Sequence, residues 1–513
     1  MNEEQYRELC EACDHVLLAP DSTIERVAIP WLHVIREHPV ILANYVDLFA
    51  PTKRVKSIAH QWLRGLRNWA AWFRQLGRAL CSDGQSWFGP KELPGRIDVL
   101  FVSHLLNASH AGQVDDFYFG SLPNELIMQG RSVAIALINH SGQPSATLAD
   151  KWKESTVPRV VLSSSLGILE EVDLLWRLKK ESFRLRKLAK KETAGLFWKV
   201  LVRASQETLS SSSLTTLRMA KQIGALATQL KPEVIVVTHE GHAWERLAFA
   251  AARSAVPELL CIGYQHAALF RLQHAIRRNL AGEYNPDHIL TAGIAAKVQL
   301  ERAPGLKGVP ISVMGSNRSP TIATTSKPGC TCDHRQAKQP DHPTCLVLPE
   351  GTTSECHLLF EFSLACAQAF PEIQFIWRLH PIIAYESLAT QNSMLRKLPK
   401  NILLSQATLA EDFDQSHWTL YRGTTAVIQA VMAGLRPIYL HLPGELAIDP
   451  LYELEVWRTS VTNISEFGRT IRLDVDTCEV LPESDLELAR KHCESFYLPS
   501  DIDALTALIP EKL

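Results

Sequence analysis

The chain has 513 residues, 46% of them hydrophobic and 21% charged, which is the composition of a folded protein long enough for two large domains and an appended segment. Its 53 Lys and Arg against 55 Asp and Glu leave a formal charge of -2, so nucleic acid is not an expected partner and any attraction for an anion must be local. The start, Met1–Tyr6, lacks the basic flank and apolar stretch of a secretory leader, no run nears 18 apolar residues, and 11 cysteines lie scattered; the expectation is a cytoplasmic protein with reduced thiols and no membrane-spanning helix.

Residues 1–92 read as a helical segment, because Tyr6–Leu18 and Ile24–Phe49 place apolar residues at three- and four-residue spacing. Between Lys53 and Arg78 a basic helical pattern sets Arg64, Arg67, Arg74 and Arg78 among Trp62, Trp69, Trp72 and Phe73. A second such stretch, Trp176–Arg203, has ten Lys or Arg against two Glu, with Trp176, Phe183, Phe197 and Trp198. Both suit peripheral contact with an anionic membrane surface, although for either stretch alone a solvated face whose rings turn inward is the preferred reading.

From Arg96 the rhythm becomes strand and helix in alternation. Ile97–Ser103, Val133–Asn139, Val157–Ser163, Val234–Thr238 and Leu260–Tyr264 read as buried parallel strands. After a polar stretch, Asn317–Thr344, a second series follows at Cys345–Pro349, Phe375–Leu379, Ile402–Ser405, Trp418–Tyr421 and Pro437–Leu440. Repeated βα units of this kind predict two Rossmann-like domains, 93–316 and 345–513, joined by a linker at 317–344 and facing a cleft at the carboxyl ends of their strands.

The candidate chemistry collects at those strand ends. In VIVVTHEGHAWER, His239, Glu240, Gly241 and His242 fall on a strand-to-helix turn, where Glu240 is placed to act as general base or nucleophile. Glu245 and Arg246 read equally well as a structural ion pair. The next strand ends in Gln265 and His266, and His266 suits proton transfer. Arg271, Arg277 and Arg278 follow as cations for an acidic sugar. In the second half Arg378, His380 and Pro381 end a strand, while Arg422, Gly423, Thr424 and Thr425 form a turn that offers amides and hydroxyls to phosphate, or simply caps a helix. Glu350 and Gly351 make a similar turn, with the carboxylate suited to a ribose or a base amine. Asp115 and Asp116 lie in a polar loop and are candidates for acceptor hydroxyls. Cys330, Cys332, His334, His342 and Cys345 are enough ligands for zinc, but their spacing matches no standard finger and a loop is the preferred reading.

The segments HEGHAWER, GYQHA and YRGTTAVIQAVMAGLRPIYL resemble those of bacterial GT-B glycosyltransferases that use CMP-sugars, nearest the capsule Kdo and pseudaminic acid transferases of surface-polysaccharide synthesis. The resemblance runs from about Arg96 to the C-terminus and leaves the helical segment outside. It implies a GT-B-like α/β fold and transfer of a CMP-activated acidic sugar to a glycan or lipid-linked glycan. It also implies Glu240 as the catalytic acidic residue, His380 at the nucleotide phosphate, and Thr424 with Thr425 as the paired hydroxyls contacting phosphate or the sugar carboxylate, while His266 remains the strand-end candidate for assisting in catalysis. Glu240 alone precedes Gly241, which fits the retaining, Kdo-type enzymes and makes it a candidate nucleophile. No DxD-type metal motif stands out, so neither metal nor cofactor is expected beyond the donor itself. A UDP-sugar transferase, a nucleotide-sugar epimerase and a non-catalytic glycan-binding subunit are the alternatives.

Overall fold

The computed structural model describes residues 1–49, 54–81, 84–192, 194–280, 282–319, 343–476 and 483–510. Eight strands form the first sheet: β1 (Trp87–Phe88), β2 (Val99–Leu105), β3 (Val133–Asn139), β4 (Arg159–Leu162), β5 (Val234–Thr238), β6 (Leu260–Gln265), β7 (His288–Thr291) and β8 (Ile311–Val313). They run in the order β1-β4-β3-β2-β5-β6-β7-β8, and every pair is parallel except β1 with β4. Six strands make the second: β9 (Thr344–Leu348), β10 (Gln374–Trp377), β11 (Ile402–Leu404), β12 (Trp418–Tyr421), β13 (Arg436–Leu440) and β14 (Thr459–Val461), all parallel, in the order β11-β10-β9-β12-β13-β14.

In both sheets the winding reverses beside the first long parallel strand, between β2 and β5 and between β9 and β12. Loops leaving the carboxyl ends at such a reversal diverge and open a crevice. The strands are continuous apolar runs because helices cover both faces: Val234 to Thr238 are all buried, one face against helices Ser211–Leu230 and Ala243–Ala255, the other against Leu122 and Leu126 of helix Leu122–Met128. The chain is thus the expected GT-B-like pair of Rossmann-like bodies.

Three boundaries differ from the sequence reading. Trp87 pairs with Leu162, so β1 belongs to the first body and not to the helical segment. That segment shares one core with the first body, since Leu9, Cys13, Leu32 and Val34 pack with Leu174, Leu178, Leu201 and Leu217. And the C-terminus returns: Leu498 N–H donates to the Ala292 carbonyl at 3.0 Å, Asp501 N–H to Met314 at 2.7 Å, and Leu505 and Ile509 enter the core of the first sheet. Closure of that core by residues distant in sequence leaves no local signal.

Within the helical segment Glu3–Leu17 forms as expected, with Asn2 and Gln5 in a capping box. Ile24–Phe49 does not: it is four short turns, at Ile24–Val27, Pro30–His33, Pro39–Leu42 and Val46–Leu48. Pro30 and Pro39 each open a turn and cannot continue one from before, since proline has no N–H to donate. Arg54–Leu80 is a single helix, in which the side chains of Trp62 and Arg64 lie outside those described, whereas Trp176–Arg203 divides between helices Ile168–Ala189 and Leu196–Glu207.

Cys345 is buried in β9, while Cys330, Cys332, His334 and His342 lie outside the described residues. Among the described residues no helix is long and apolar enough to cross a membrane.

Candidate active site

The turn after β5 is built around Glu245. From the first turn of helix Ala243–Ala255 its carboxylate accepts the backbone N–H groups of Glu240 (2.9 Å), Gly241 (2.7 Å) and His242 (2.9 Å). Three amides at a helix N-terminus are thereby satisfied by one buried anion. Gly241 adopts φ +88, and a Cβ there would lie 2.5 Å from the Ala275 carbonyl oxygen; only glycine lets the turn lie so near that backbone. Arg246 does not pair with Glu245. It donates to Asn285 Oδ1 and to the Ala275 and Arg278 carbonyls, which fastens the loop after β6 against the turn.

This scaffold presents Glu240, whose side chain is 19% exposed, between two imidazoles: His242 Nε2 at 3.5 Å and His266 Nε2 at 3.8 Å. Burial opposes its charge, but the His242 contact and the nearby His266 and Arg36 outweigh it and hold the carboxyl well below the usual carboxylate range. Burial also lowers His242, yet Glu240 and Glu245 raise it on balance. His266, lacking so close a carboxylate, is pushed down by burial to about 4. Near neutral pH the arrangement is an ionised Glu240 with a neutral His266 on one side and, on the other, His242, whose proton is held more firmly than that of an ordinary imidazole.

Sequence reasoning passed over the opposite wall. His104, near the end of β2 across the reversal from β5, has Nδ1 2.9 Å from His140 Nε2 and is pushed by burial to about 3. Tyr118 sets its ring edge-on to His266 at 4.5 Å, and Arg318 lies over the Tyr118 ring at 5.9 Å. The usable signal was positional: His104 ends a strand beside the reversal, as Glu240 does.

In the second body the two reversal strands carry Glu350–Gly351 and Arg422–Thr425. Glu350 lies directly over Gly423, where a Cβ would overlap its Oε1, and His380 lies over Gly351, where a Cβ would come within 2.9 Å of Nδ1. Both glycines are there for close approach. His380 is lowered by burial, with Glu350 opposing. Thr424 accepts the Ala426 N–H at 3.3 Å, and both threonines keep partial exposure. Pro381 is exposed at the rim.

Several expected ligands are otherwise engaged. His239 is fully buried against Gly263, with Nδ1 3.1 Å from Glu245 Oε2, so it supports the turn and cannot reach a substrate. Asp116 is buried and accepts from Ser103 Oγ and from the Tyr118 and Phe119 amides, while Asp115 is exposed beside it. Gln265 is buried, its amide turned to the Ala267 carbonyl. Arg378 holds Asp412 at 2.6 Å. Arg422, 2% exposed, lies between Glu355 (3.1 Å) and Glu445 (2.7 Å). Both arginines were expected to face the cleft because they follow strands; each instead neutralises a carboxylate, because a charge buried without a partner is too costly to keep. The arginines after β6 are spent likewise, Arg271 on Glu3, Arg277 on the Phe270 carbonyl and Arg278 on Asp14.

No protein-family model matches this chain, and no curated protein matches it in sequence. Solved structures similar in chain path include the glycotransferase of kitacinnamycin (13% identity, TM-score 0.45, covering 81% of this chain and 99% of that one) and MurG of Acinetobacter baumannii (12%, 0.43, 80% and 99%). The UDP-GlcNAc 2-epimerase of Methanocaldococcus jannaschii, solved with UDP-GlcNAc and UDP, is similar at 13% identity and TM-score 0.40, covering 77% of this chain and 99% of that one. The two-body architecture stands on the strand orders themselves.

Proposed function

We propose that the chain is a glycosyltransferase that moves a sugar from a nucleotide-linked donor, a CMP-activated acidic sugar in the fuller reading, to a glycan or lipid-linked glycan of a bacterial surface polysaccharide. The observation that carries this reading is the ionised Glu240 at the reversal of the first sheet, combined with Glu350, His380 and the close-approach glycines at the reversal of the second. The second body takes the nucleotide and the first the reacting sugar. A carboxylate held so far below its ordinary range is a weak base, and is better used as a nucleophile on the anomeric carbon or as the counter-charge to an oxocarbenium-like transition state. The neutral His266 is then the group able to take the proton of the acceptor hydroxyl. No metal enters this scheme, so turnover is expected to survive chelation.

The acceptor side adjoins an unusual surface. Helices Arg54–Leu80 and Ile168–Ala189 pack together, and each leaves apolar residues outward at identical spacing: Leu66, Trp69, Phe73 and Leu80 on one, Leu169, Val172, Trp176 and Phe183 on the other. Arg67, Arg74, Arg78, Lys179, Lys180 and Lys187 are exposed among them. A cavity of about 390 Å3, lined by Trp72, Arg74 and Arg78, runs from this surface to Asn139 and Ser163 at the carboxyl ends of β3 and β4. Cations with outward rings suit a peripheral seat on anionic lipid, which would bring a lipid-linked acceptor to the same end of the sheet as Glu240.

A thermal-shift panel of CMP, UDP, GDP and their sugars, followed by turnover of Glu240→Gln, tests the reading. Stabilisation by one nucleotide class and a loss of about 10²–10⁴-fold in kcat with nucleotide affinity retained are expected. Stabilisation by none, or an unchanged kcat, refutes it; a shift confined to UDP replaces the donor and keeps the class.

A further inference from the structure

The N-terminal segment, expected to stand outside the site, runs into it. Helix Glu3–Leu17 is tied to the loop after β6: Tyr6 Oη donates to the Leu272 carbonyl at 2.9 Å, and Asp14 holds His274 and Arg278, each at 2.8 Å. Arg278 also donates to the His33 carbonyl at 3.2 Å. Two of the three arginines that looked like ligands for an acidic sugar, Arg271 and Arg278, therefore serve to fasten residues 1–38. Beyond His33 the backbone turns at Val34 with φ +46, a left-handed conformation that a β-branched residue rarely adopts and that persists only where the surroundings fix it. They do so here: His33 is fully buried and bonded to the Val27 carbonyl at 2.8 Å, and Val34 is fully buried in the shared core.

The turn sends the next residues across the gap between the bodies. Glu37, fully buried, accepts the Leu272 N–H at 2.6 Å on the side of the first body. His38, 2% exposed, meets Glu350 Oε2 at 2.7 Å on the side of the second. Arg36 lies beside these two anchors, partly exposed, its guanidinium carbon 5.3 Å from the centroid of the Phe270 ring. Its charge acts on Glu240 and His242 in one body and on Glu350 in the other. Among the described residues it has no carboxylate within ion-pair distance, in contrast to Arg271, Arg278, Arg378 and Arg422.

A cleft bearing two ionised carboxylates repels an anionic donor unless a cation offsets them. A guanidinium held over an aromatic ring, with no carboxylate at ion-pair distance among the described residues, is suited to a two-pronged grip on an oxyanion. We propose that Arg36 binds an oxyanion of the donor, phosphate or sugar carboxylate, where the two bodies meet, and that His38 positions Glu350 beside it. This rests on the reading of the cleft as a nucleotide-sugar site. The segment outside the family resemblance thus completes the donor site.

The test uses the full chain and its Arg36→Gln and Arg36→Lys variants, with CMP, UDP and a CMP-linked 2-keto acid sugar as probes in calorimetric titration, and melting of each unliganded variant as the check on folding. Arg36→Gln should weaken binding about ten- to a hundredfold, the worth of one charge-assisted hydrogen-bonded contact. Arg36→Lys should fall between, and supplies the comparison if the glutamine variant does not fold. Loss already with the bare nucleotide identifies phosphate as the bound group; loss only with the complete sugar nucleotide identifies the carboxylate. His38→Ala should weaken nucleotide binding several-fold and His38→Gln, whose amide still donates to Glu350, should restore it. A wild-type protein that binds nucleotide while Arg36→Gln binds it and the sugar nucleotide equally well overturns the proposal alone. A wild-type protein that binds none of the probes overturns the nucleotide-sugar reading, and the proposal with it.

Discussion

Gly241→Ala separates two costs that usually arrive together. At φ +88 a residue with a Cβ is strained by about 1–2 kcal/mol. The same Cβ would stand 2.5 Å from the Ala275 carbonyl oxygen and 2.6 Å from the Ile276 nitrogen, so the loop after β6 must move, and overpacking of this kind costs roughly a further 1–3 kcal/mol. Gly142 supplies the comparison: its φ is +75 and nothing lies within 4 Å of its Cβ position. Gly142→Ala should therefore cost about 1–2 kcal/mol and Gly241→Ala about 2–5. Hydrogen exchange of the Val234–Thr238 amides reads the first body separately from the second. The consequences for chemistry diverge further. The displaced turn carries Glu240 and His242 with it, and a misplacement of about 1 Å costs about a hundredfold in rate, whereas Gly142→Ala leaves turnover intact. Equal destabilisation of the two variants, or full turnover in Gly241→Ala, would refute the account of the turn.

With His266 at about 4, the acid limb of kcat/KM should fall near that pH and not near 6.5, the ordinary imidazole value; a limb near the ordinary value would remove His266 from the role of proton acceptor. For stability the signs are opposite within one pair. The raised His242 contributes fully below its unfolded value and loses this as pH climbs through its folded value, while the lowered Glu240 contributes above its unfolded value and loses this as pH falls. Both are present in full between about pH 4.5 and 6.5, and His242→Gln should flatten the alkaline side of a pH–stability profile. Glu171, fully buried, accepts from Arg218 at 2.6 and 3.1 Å and from the Leu166 amide at 2.9 Å; Glu171→Ala should cost about 3–5 kcal/mol in denaturant unfolding, and a cost near zero would show the pair to be dispensable. Replacing Trp69, Phe73, Trp176 and Phe183 together by Ser should abolish co-sedimentation with vesicles of anionic phospholipid and leave melting unchanged; wild-type protein that stays in the supernatant would sink the membrane seat.

The central strands of both sheets were legible because continuous apolar, β-branched runs of about four to seven residues have few other uses. β7, β8 and β14 escaped notice: His288–Thr291, Ile311–Val313 and Thr459–Val461 are three or four residues long, too short to set a period. The positions of Glu240, Glu350 and Gly423 followed from strand ends that run into a glycine turn, and the reversal of winding places them at its two crevices. What strand ends do not encode is direction. Arg378 and Arg422 also follow strands, but each answers a carboxylate supplied by a helix or loop distant in sequence, Asp412 for one and Glu355 with Glu445 for the other. Arg36 and His38 escaped for the opposite reason. Nothing near them reads as a strand end, and only the turn at Val34 carries them into the gap.

The path of the chain has one further consequence. It passes from the first body to the second ahead of β9 and passes back through Ser495–Pro499, so that Leu505 and Ile509 lie in a core whose other members extend no further along the sequence than Met314. A cut ahead of β9 would therefore leave two fragments held together by packing alone, with Leu505 and Ile509 of the second seated in the core of the first. Independent evolution or transplantation of either half is correspondingly restricted: a graft of the second body alone would strip the first of part of its hydrophobic floor.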